Sequence, residues 1–172
     1  MRRADLHTHT TASDGHYSPE ELVIAASKAG LAAVAVTDHD TVAGLEKATR
    51  AGAKWGVDVI PGVEISTLAE GKEIHVLGYF SGKIDRDFVE KLRSLRDARQ
   101  KRNEMMVEKL RELGIPITME EVMAKRREQS PEANVGRPHI AEVLVDKGIV
   151  SSIDEAFDRF LGKGGAAYCT PR

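Results

Sequence analysis

The apolar run Leu31 to Thr37 (LAAVAVT) constrains this chain more than any other stretch. It is too short for a buried helix and follows a helical pattern directly. It therefore reads as a strand buried on both faces, the kind found in parallel sheets. The helix before it begins at Ser18-Pro19-Glu20-Glu21, with Ser18 as N-cap, Pro19 at the first helical position and Glu21 closing a capping box. Leu22, Val23, Ala26 and Ala29 make its buried stripe, and Gly30 ends it. Ala4 to His9 reads as the first strand. After the apolar run, Asp40 or Thr41 is placed to cap a second helix carrying Leu45, Ala48 and Ala51, which stops at Gly56. Val57 to Ile60 is the third strand, broken by Pro61-Gly62. Val63 to Ser66 continues extended, Glu70-Gly71-Lys72 is a turn, and Ile74 to Phe80 is a further strand. Strands alternating with helices argue an α/β fold, a parallel sheet or barrel.

After Asp85 the pattern turns helical. Phe88, Leu92, Leu95, Met106, Leu110 and Leu113 recur at three-and-four spacing up to Gly114. Thr118-Met119-Glu120-Glu121 is a second capping box, Pro138 to Lys147 a helix, and Ser152 caps one more, to Leu161. Composition excludes some classes. With 41% hydrophobic and 30% charged residues and a net charge of −2, charge alone does not point to nucleic acid. No apolar run is long enough to span a bilayer. The lone Cys169 excludes an internal disulfide and fits a reducing compartment. Met1 to Asp5 lead straight into the first strand, so no signal peptide is expected and the cytoplasm is the expected location.

Polar, metal-capable residues recur where the strands end. In Asp5-Leu6-His7-Thr8-His9 the two histidines share one face of the strand, about 6–7 Å apart along it, close enough to share one ion. Asp14, Asp38-His39-Asp40, Glu64 and His75 follow at later strand ends. Taken singly, each has a duller explanation: an Asp after a strand is usually a helix cap, and a His within IHVLGYF is more often a core residue. Together they fall at one edge of the sheet each time. Mixed imidazole and carboxylate donors suit Zn, Mn or Fe. More donors than one ion needs suggest two or three ions, which stabilise the oxygens of a phosphoryl displacement and acidify a water. Arg86, Lys91, Arg93, Arg96, Arg99, Lys101 and Arg102 outnumber the nearby acids. Such a run is usually the wet face of a helix, with the steering of an anionic substrate as the other reading.

Four ordered motifs carry a resemblance: D-L-H-x-H-T at Asp5–Thr10, T-D-H-D-T at Thr37–Thr41, P-G-V-E-I-S at Pro61–Ser66 and I-H-V-L-G-Y at Ile74–Tyr79. The chain resembles the PHP (polymerase and histidinol phosphatase) superfamily. S-D-G at Ser13–Gly15 and G-R-P-H-I-A at Gly136–Ala141 are similar to its branch of bacterial metal-dependent phosphoesterases of the TrpH (ribonuclease AM) type. The resemblance implies a distorted (β/α)7 barrel with two or three divalent ions. By position, His7 and His9 would hold one ion, Glu64 would bridge it to a second also bound by His75, and Asp14 and His39 would serve a third. His16 falls off the motif. Asp38 and Asp40 would stand behind these ligands, orienting His39 or capping the next helix. Arg137 and His139 would contact the substrate, at the start of a helix whose N–H groups favour phosphate.

The implied activity is hydrolysis of phosphate esters of small nucleotides (nucleoside 3′,5′-bisphosphates or AMP-like) or of RNA 5′ ends, through a metal-bound hydroxide. The implied partners are a phosphorylated small molecule, nucleotide or short RNA, and no membrane. A barrel runs to roughly 250 residues, and the resemblance places further ligands beyond His139. The expectation is therefore an N-terminal part of a larger protein: residues 1–84 as part of the barrel, 85–165 as an all-helical insert, 166–172 as the return, the barrel incomplete at the C-terminus. Self-association through the open barrel edge follows from that. Two other readings compete. One is an amidohydrolase-like metal hydrolase, since H-x-H on a first strand occurs there too; Glu64 and T-D-H-D count against it. The other is an inactive metal-binding or interaction fragment.

Overall fold

The computed structural model describes residues 2–70, 72–127 and 133–170. Strand β1 (Ala4–Thr8) leads through a loop into helix α1 (Pro19–Lys28), then β2 (Ala33–Val36), α2 (Leu45–Trp55), β3 (Asp58–Ala69) and β4 (Lys72–Tyr79). The strands form one sheet in the order β1-β2-β3-β4. β1, β2 and β3 are parallel, and β4 folds back antiparallel to β3. The α/β reading therefore holds, with a hairpin at one side.

Local sequence explains the elements. Ser18 and Glu21 form a reciprocal capping box: Glu21 N–H donates to Ser18 Oγ at 3.3 Å and Ser18 N–H to Glu21 Oε2 at 2.8 Å. Val23 and Ala26 turn inward, whereas Ala29 lies past the last helical turn and is exposed. Val34 and Val36 of the apolar run are buried between α1 and α2, with Ala48 and Val57 in the same core. Removing each valine side chain from water contributes about 2 kcal/mol. Helix α2 begins later than expected, after Gly44, and has no side-chain cap.

Pro61-Gly62 does not break β3. It marks where the strand changes partner. Residues before it pair with β2, as Ala33 with Asp58 and Val36 with Pro61. Residues after it pair with β4, as Gly62 with Tyr79 and Ser66 with His75. Pro61 lacks an N–H, and its carbonyl accepts from Phe80 N–H at 2.9 Å. Gly62 is needed for close approach: a Cβ there would lie 2.9 Å from Thr37 Cγ2 and 3.2 Å from the Tyr79 ring. Tyr79 runs across to donate its hydroxyl to the Leu6 carbonyl at 2.7 Å. The two outer strands are thus joined over a curled sheet.

The rest is helical: α3 (Arg86–Glu112), α4 (Met119–Ala124), α5 (Arg137–Asp146) and α6 (Ile153–Ala156), the last running into a π-helical turn at Phe157–Leu161. Thr118 and Glu121 make the second capping box. Met106, Leu110, Ile117, Ile140, Leu144 and Leu161 are the fully buried centre of a second core, separate from the first. Asn103 on α3 is also fully buried and donates from Nδ2 to the Val135 carbonyl at 2.9 Å, holding the segment before α5 against the long helix.

Candidate metal centre

The side chains of the candidate centre come from β1 (His7), the loop after it (His9 and Asp14), the chain past β2 (His39) and, contrary to the strand-end expectation, the interiors of β3 (Glu64) and β4 (His75). The pairing of β1 and β2 slips between Asp5 and Thr8, and His7 N–H is taken by Asp5 Oδ1 at 3.2 Å instead of by the neighbouring strand. Irregularities of this kind re-aim side chains. Here the imidazoles of His7 and His9 converge, with Nε2 atoms 3.1 Å apart. Past Val36 the β2 chain continues alongside β3. Glu64 N–H donates to the Asp38 carbonyl at 3.1 Å and Asp40 N–H to the Glu64 carbonyl at 3.0 Å, setting His39 beside Glu64.

Glu64 is the centre. One of its oxygens, Oε2, lies 2.8 Å from His7 Nε2, 3.0 Å from His9 Nε2 and 3.7 Å from His39 Nδ1. The other, Oε1, lies 2.9 Å from His75 Nδ1. Asp14 closes the far side, 3.8 Å from His9 Nδ1 and 3.6 Å from His39 Nε2. Three groups result whose donor atoms lie within 4.8 Å of one another: His7, His9 and Glu64; His9, Asp14 and His39; His39, Glu64 and His75. All six residues singled out as ligands are therefore brought together. His16 is not among them; it is exposed.

The donor set fits metal ions. His9 Nδ1 and His39 Nδ1 are buried without a hydrogen-bond partner among the described residues. A buried imidazole nitrogen left in that state is costly unless something accepts its lone pair or proton. Burial, reinforced by the Arg99 charge, holds the His39 pKa far below its ordinary range, so the ring stays neutral and its lone pair free.

Of the two roles expected of Asp38 and Asp40, helix capping is not the one they take: neither caps α2. Asp38 is buried and grips the loop before Asp14: its Oδ1 accepts from Thr10 N–H at 2.7 Å and Ser13 Oγ at 2.6 Å, its Oδ2 from Thr10 Oγ1 at 2.7 Å. Burial raises its pKa while these donors pull it down. Asp40, at φ 52°, accepts from Ser66 N–H at 2.8 Å and from Arg99 Nε at 3.2 Å. The two carboxylates fix the loops on which Asp14 and His39 stand.

Arg137 and His139 lie at the start of α5. The Arg137 guanidinium donates to Glu73 Oε2 at 3.1 Å. His139 is buried, and its Nδ1 accepts from Gly136 N–H at 3.0 Å, leaving its Nε2 edge for any other contact. Burial lowers its pKa. Gly136 abuts Asp14; a Cβ there would lie 3.2 Å from Asp14 Oδ2.

Glu73 escaped the sequence reading, and Arg99 and Arg102 entered it only as members of a basic run. Glu73 lies 3.2 Å from His75 Nε2 and accepts from Arg102 Nη1 at 2.6 Å. The His75 contact, then Arg102, holds its carboxyl well below the usual range despite burial. Arg99 and Arg102 are 7% and 6% exposed, so these members of the basic run face inward. Signals for them exist. Glu73 stands two residues before His75 and so shares its strand face. Leu92, Arg99 and Met106 recur every seventh residue, which puts Arg99 on the buried stripe of α3.

Comparison with known proteins decides the family: residues 5–129 match the PHP domain model. The chain belongs to the PHP domain family. A curated relative, a 5′-3′ exoribonuclease of Haemophilus influenzae, is 40% identical over 97% of this chain and 59% of its own length. A 3′,5′-nucleoside bisphosphate phosphatase of Chromobacterium violaceum is 32% identical over 98% of this chain and 58% of its own. Among solved structures, a proposed metal-dependent phosphoesterase of Bifidobacterium adolescentis superposes with a TM-score of 0.90 at 33% identity, covering 99% of this chain and 59% of that one. The chain thus spans somewhat under two thirds of the length of the relatives it matches. Among the described residues no helix is long and apolar enough to cross a membrane.

Proposed function

We propose that this chain is the metal-binding part of a phosphoesterase that hydrolyses phosphate esters of small nucleotides or RNA 5′ ends. The carrying observation is the Glu64 carboxylate, ringed by nitrogens of four histidines, with Asp14 completing the set. His7, His9 and Glu64 would hold one ion, Glu64, His39 and His75 a second, and His9, Asp14 and His39 a third. When bound, divalent ions supply Lewis-acid charge to phosphate oxygens and lower the pKa of a water enough to make it a nucleophile. Nitrogen and carboxylate donors together suit Mn, Zn or Fe.

The chain's own groups do the rest. Glu64, shared between two of the groups, fixes their spacing. Glu73 orients the His75 ring by holding Nε2, which turns Nδ1 towards Glu64. Arg137, tethered by Glu73 and placed at the N-terminus of α5, brings positive charge to the mouth of the centre, where a phosphate's charge must be matched. His139 keeps that helix end closed by accepting from Gly136. The names of the two curated relatives, an exoribonuclease and a bisphosphate phosphatase, support nucleotide esters as the substrate class. A cytoplasmic location, and self-association through the half-exposed Leu6, Ile74 and Val76 on the outer strands, belong to the same proposal.

The test is phosphate release from a nucleoside 3′,5′-bisphosphate with added Mn²⁺, run beside His7→Ala and beside metal analysis of the purified chain. Release by the parent chain that disappears in His7→Ala is the expected result. Equal release by both, or less than one tightly held ion per chain, would overturn it.

A further inference from the structure

Beside the metal centre, β3 and α3 enclose a groove of about 360 Å³. Its lining includes Ser66 and Leu68 from β3, Glu73 from β4, and Leu95, Ala98, Arg99 and Arg102 from α3. None of these belongs to the candidate ligand groups.

Arg102 is the unusual member. Its Nη1 donates to Glu73, yet its Nε and Nη2 are buried without a partner among the described residues. Buried donors on a charged group are almost always satisfied, and leaving them open is costly. The local charge count points the same way. Among the described residues Arg99, Arg102 and Arg137 share two carboxylates, Asp40 and Glu73, through their ion pairs. Among them one positive charge is left over, in a groove that Leu68, Leu95 and Ala98 also line. A site with cationic donors at one end and apolar side chains along the other suits an anion attached to a flat apolar body. The groove also adjoins the centre through one atom: Glu73 Oε1 touches both Arg102 Nη1 and His75 Nε2.

From this geometry we infer that the groove between β3 and α3 holds the uncut part of a nucleotide substrate, with a non-reacting phosphate on Arg102 and Arg99 and the nucleobase against Leu68, Leu95 and Ala98. The inference rests on the nucleotide phosphoesterase reading above. It adds a second phosphate site and assigns specificity to residues of α3. The phosphate has two sources with the same chemistry: the free end of a mononucleotide, or the diester link to the next nucleotide of RNA.

Calorimetry on the metal-free chain tests it, with adenosine, 5′-AMP and the dinucleoside monophosphate ApA as probes. The phosphate of AMP or ApA is expected to improve binding over adenosine by roughly tenfold, the usual worth of a charge-assisted contact. A gain confined to AMP identifies a terminal phosphate, and a gain with ApA identifies the diester; either supports the groove. Arg102→Lys, which keeps charge but loses the planar fork, is expected to cancel most of that gain. Ala98→Trp, at an exposed helix position, fills the groove from outside the core and is expected to weaken AMP and ApA alike. If no probe with a phosphate outbinds adenosine, or if both variants bind as the parent does, the inference is overturned. Phosphate release with Mn²⁺ is read separately. Release with an unresponsive groove would sink the groove and keep the hydrolase. Responsive binding without release would keep the groove and sink the hydrolase.

Discussion

The side chain of Asn134 donates to the backbone carbonyl of His39 at 2.5 Å, joining positions 95 residues apart. The backbone N–H of Asn134 also donates to the Ala12 carbonyl at 3.0 Å. One buried residue from the helical half therefore pins both loops that carry Asp14 and His39. Asn134→Ala should cost about 1–2 kcal/mol of stability by leaving the His39 carbonyl unpaired. Thermal unfolding reads that loss. Metal titration should show weakened binding at the His9, Asp14 and His39 group, and an unchanged titration would remove Asn134 from any role in the centre.

Glu64→Gln keeps the shape of the central side chain and removes its charge. Four histidines then lose their common carboxylate. Mn²⁺ titration should fall by at least one ion per chain, and the rise in unfolding temperature that metal gives the parent should shrink with it. His16→Ala serves as the control, because His16 is exposed and lies in none of the donor groups. Loss of binding in the control would mean the donor set is wrongly drawn.

How much of this was legible beforehand depends on which kind of signal each residue leaves. The caps at Ser18 and Thr118 are local chemistry, and both boxes form as read. His7, His9 and His39 stand at or just past the ends of β1 and β2, where period and topology place them, whereas Glu64 and His75 lie inside β3 and β4, because the extended stretches there join into longer strands than their local patterns mark. Pro61-Gly62 misled, since a proline and glycine in sequence look alike whether a strand stops or changes partner. Arg99 and Arg102 were hidden because a charged residue is normally solvated, and only a partner elsewhere in the chain reverses that. Those partners are distant in the chain: Asp40 in the turn after β2, Ser66 in β3 and Glu73 in β4. Asp38 could be seen as important but not what it holds, because the Thr10 to Ser13 loop reaches it only in three dimensions.

Gly15 is fixed by crowding. A Cβ at that position would stand 2.2 Å from the His9 carbonyl oxygen, and the Gly15 N–H donates to the Thr10 carbonyl at 2.9 Å. Gly15→Ala must therefore push the loop away from His9, taking Asp14 with it. Metal binding at the His9, Asp14 and His39 group should be lost, while the far-ultraviolet circular dichroism of the chain is retained. Retained binding would show that the loop can yield without moving the carboxylate.

His139 gives a pH dependence with a definite sign. Burial lowers its pKa in the folded chain relative to the unfolded one. The unfolded chain thus takes up a proton first as pH falls below about 6.5, and stability drops from that point downwards. His139→Gln keeps an acceptor for Gly136 N–H at the third helical position, where Gln completes a capping box. The variant should lose less stability between neutral pH and pH 5 than the parent, measured by urea unfolding. Parallel curves would show that His139 is not the group responsible.

The hydroxyl of Tyr79 on the Leu6 carbonyl ties together the two outer strands of a four-stranded sheet. His7 sits on one of those strands and His75 on the other, and both reach Glu64 between them. Flattening the sheet would draw the two imidazoles apart. Affinity for metal is in that sense a strain gauge: it reports the curvature of the backbone beneath it. Tyr79→Phe, which cuts the tie and leaves the ring, would be expected to relax that curvature and blunt the gauge without touching a single ligand.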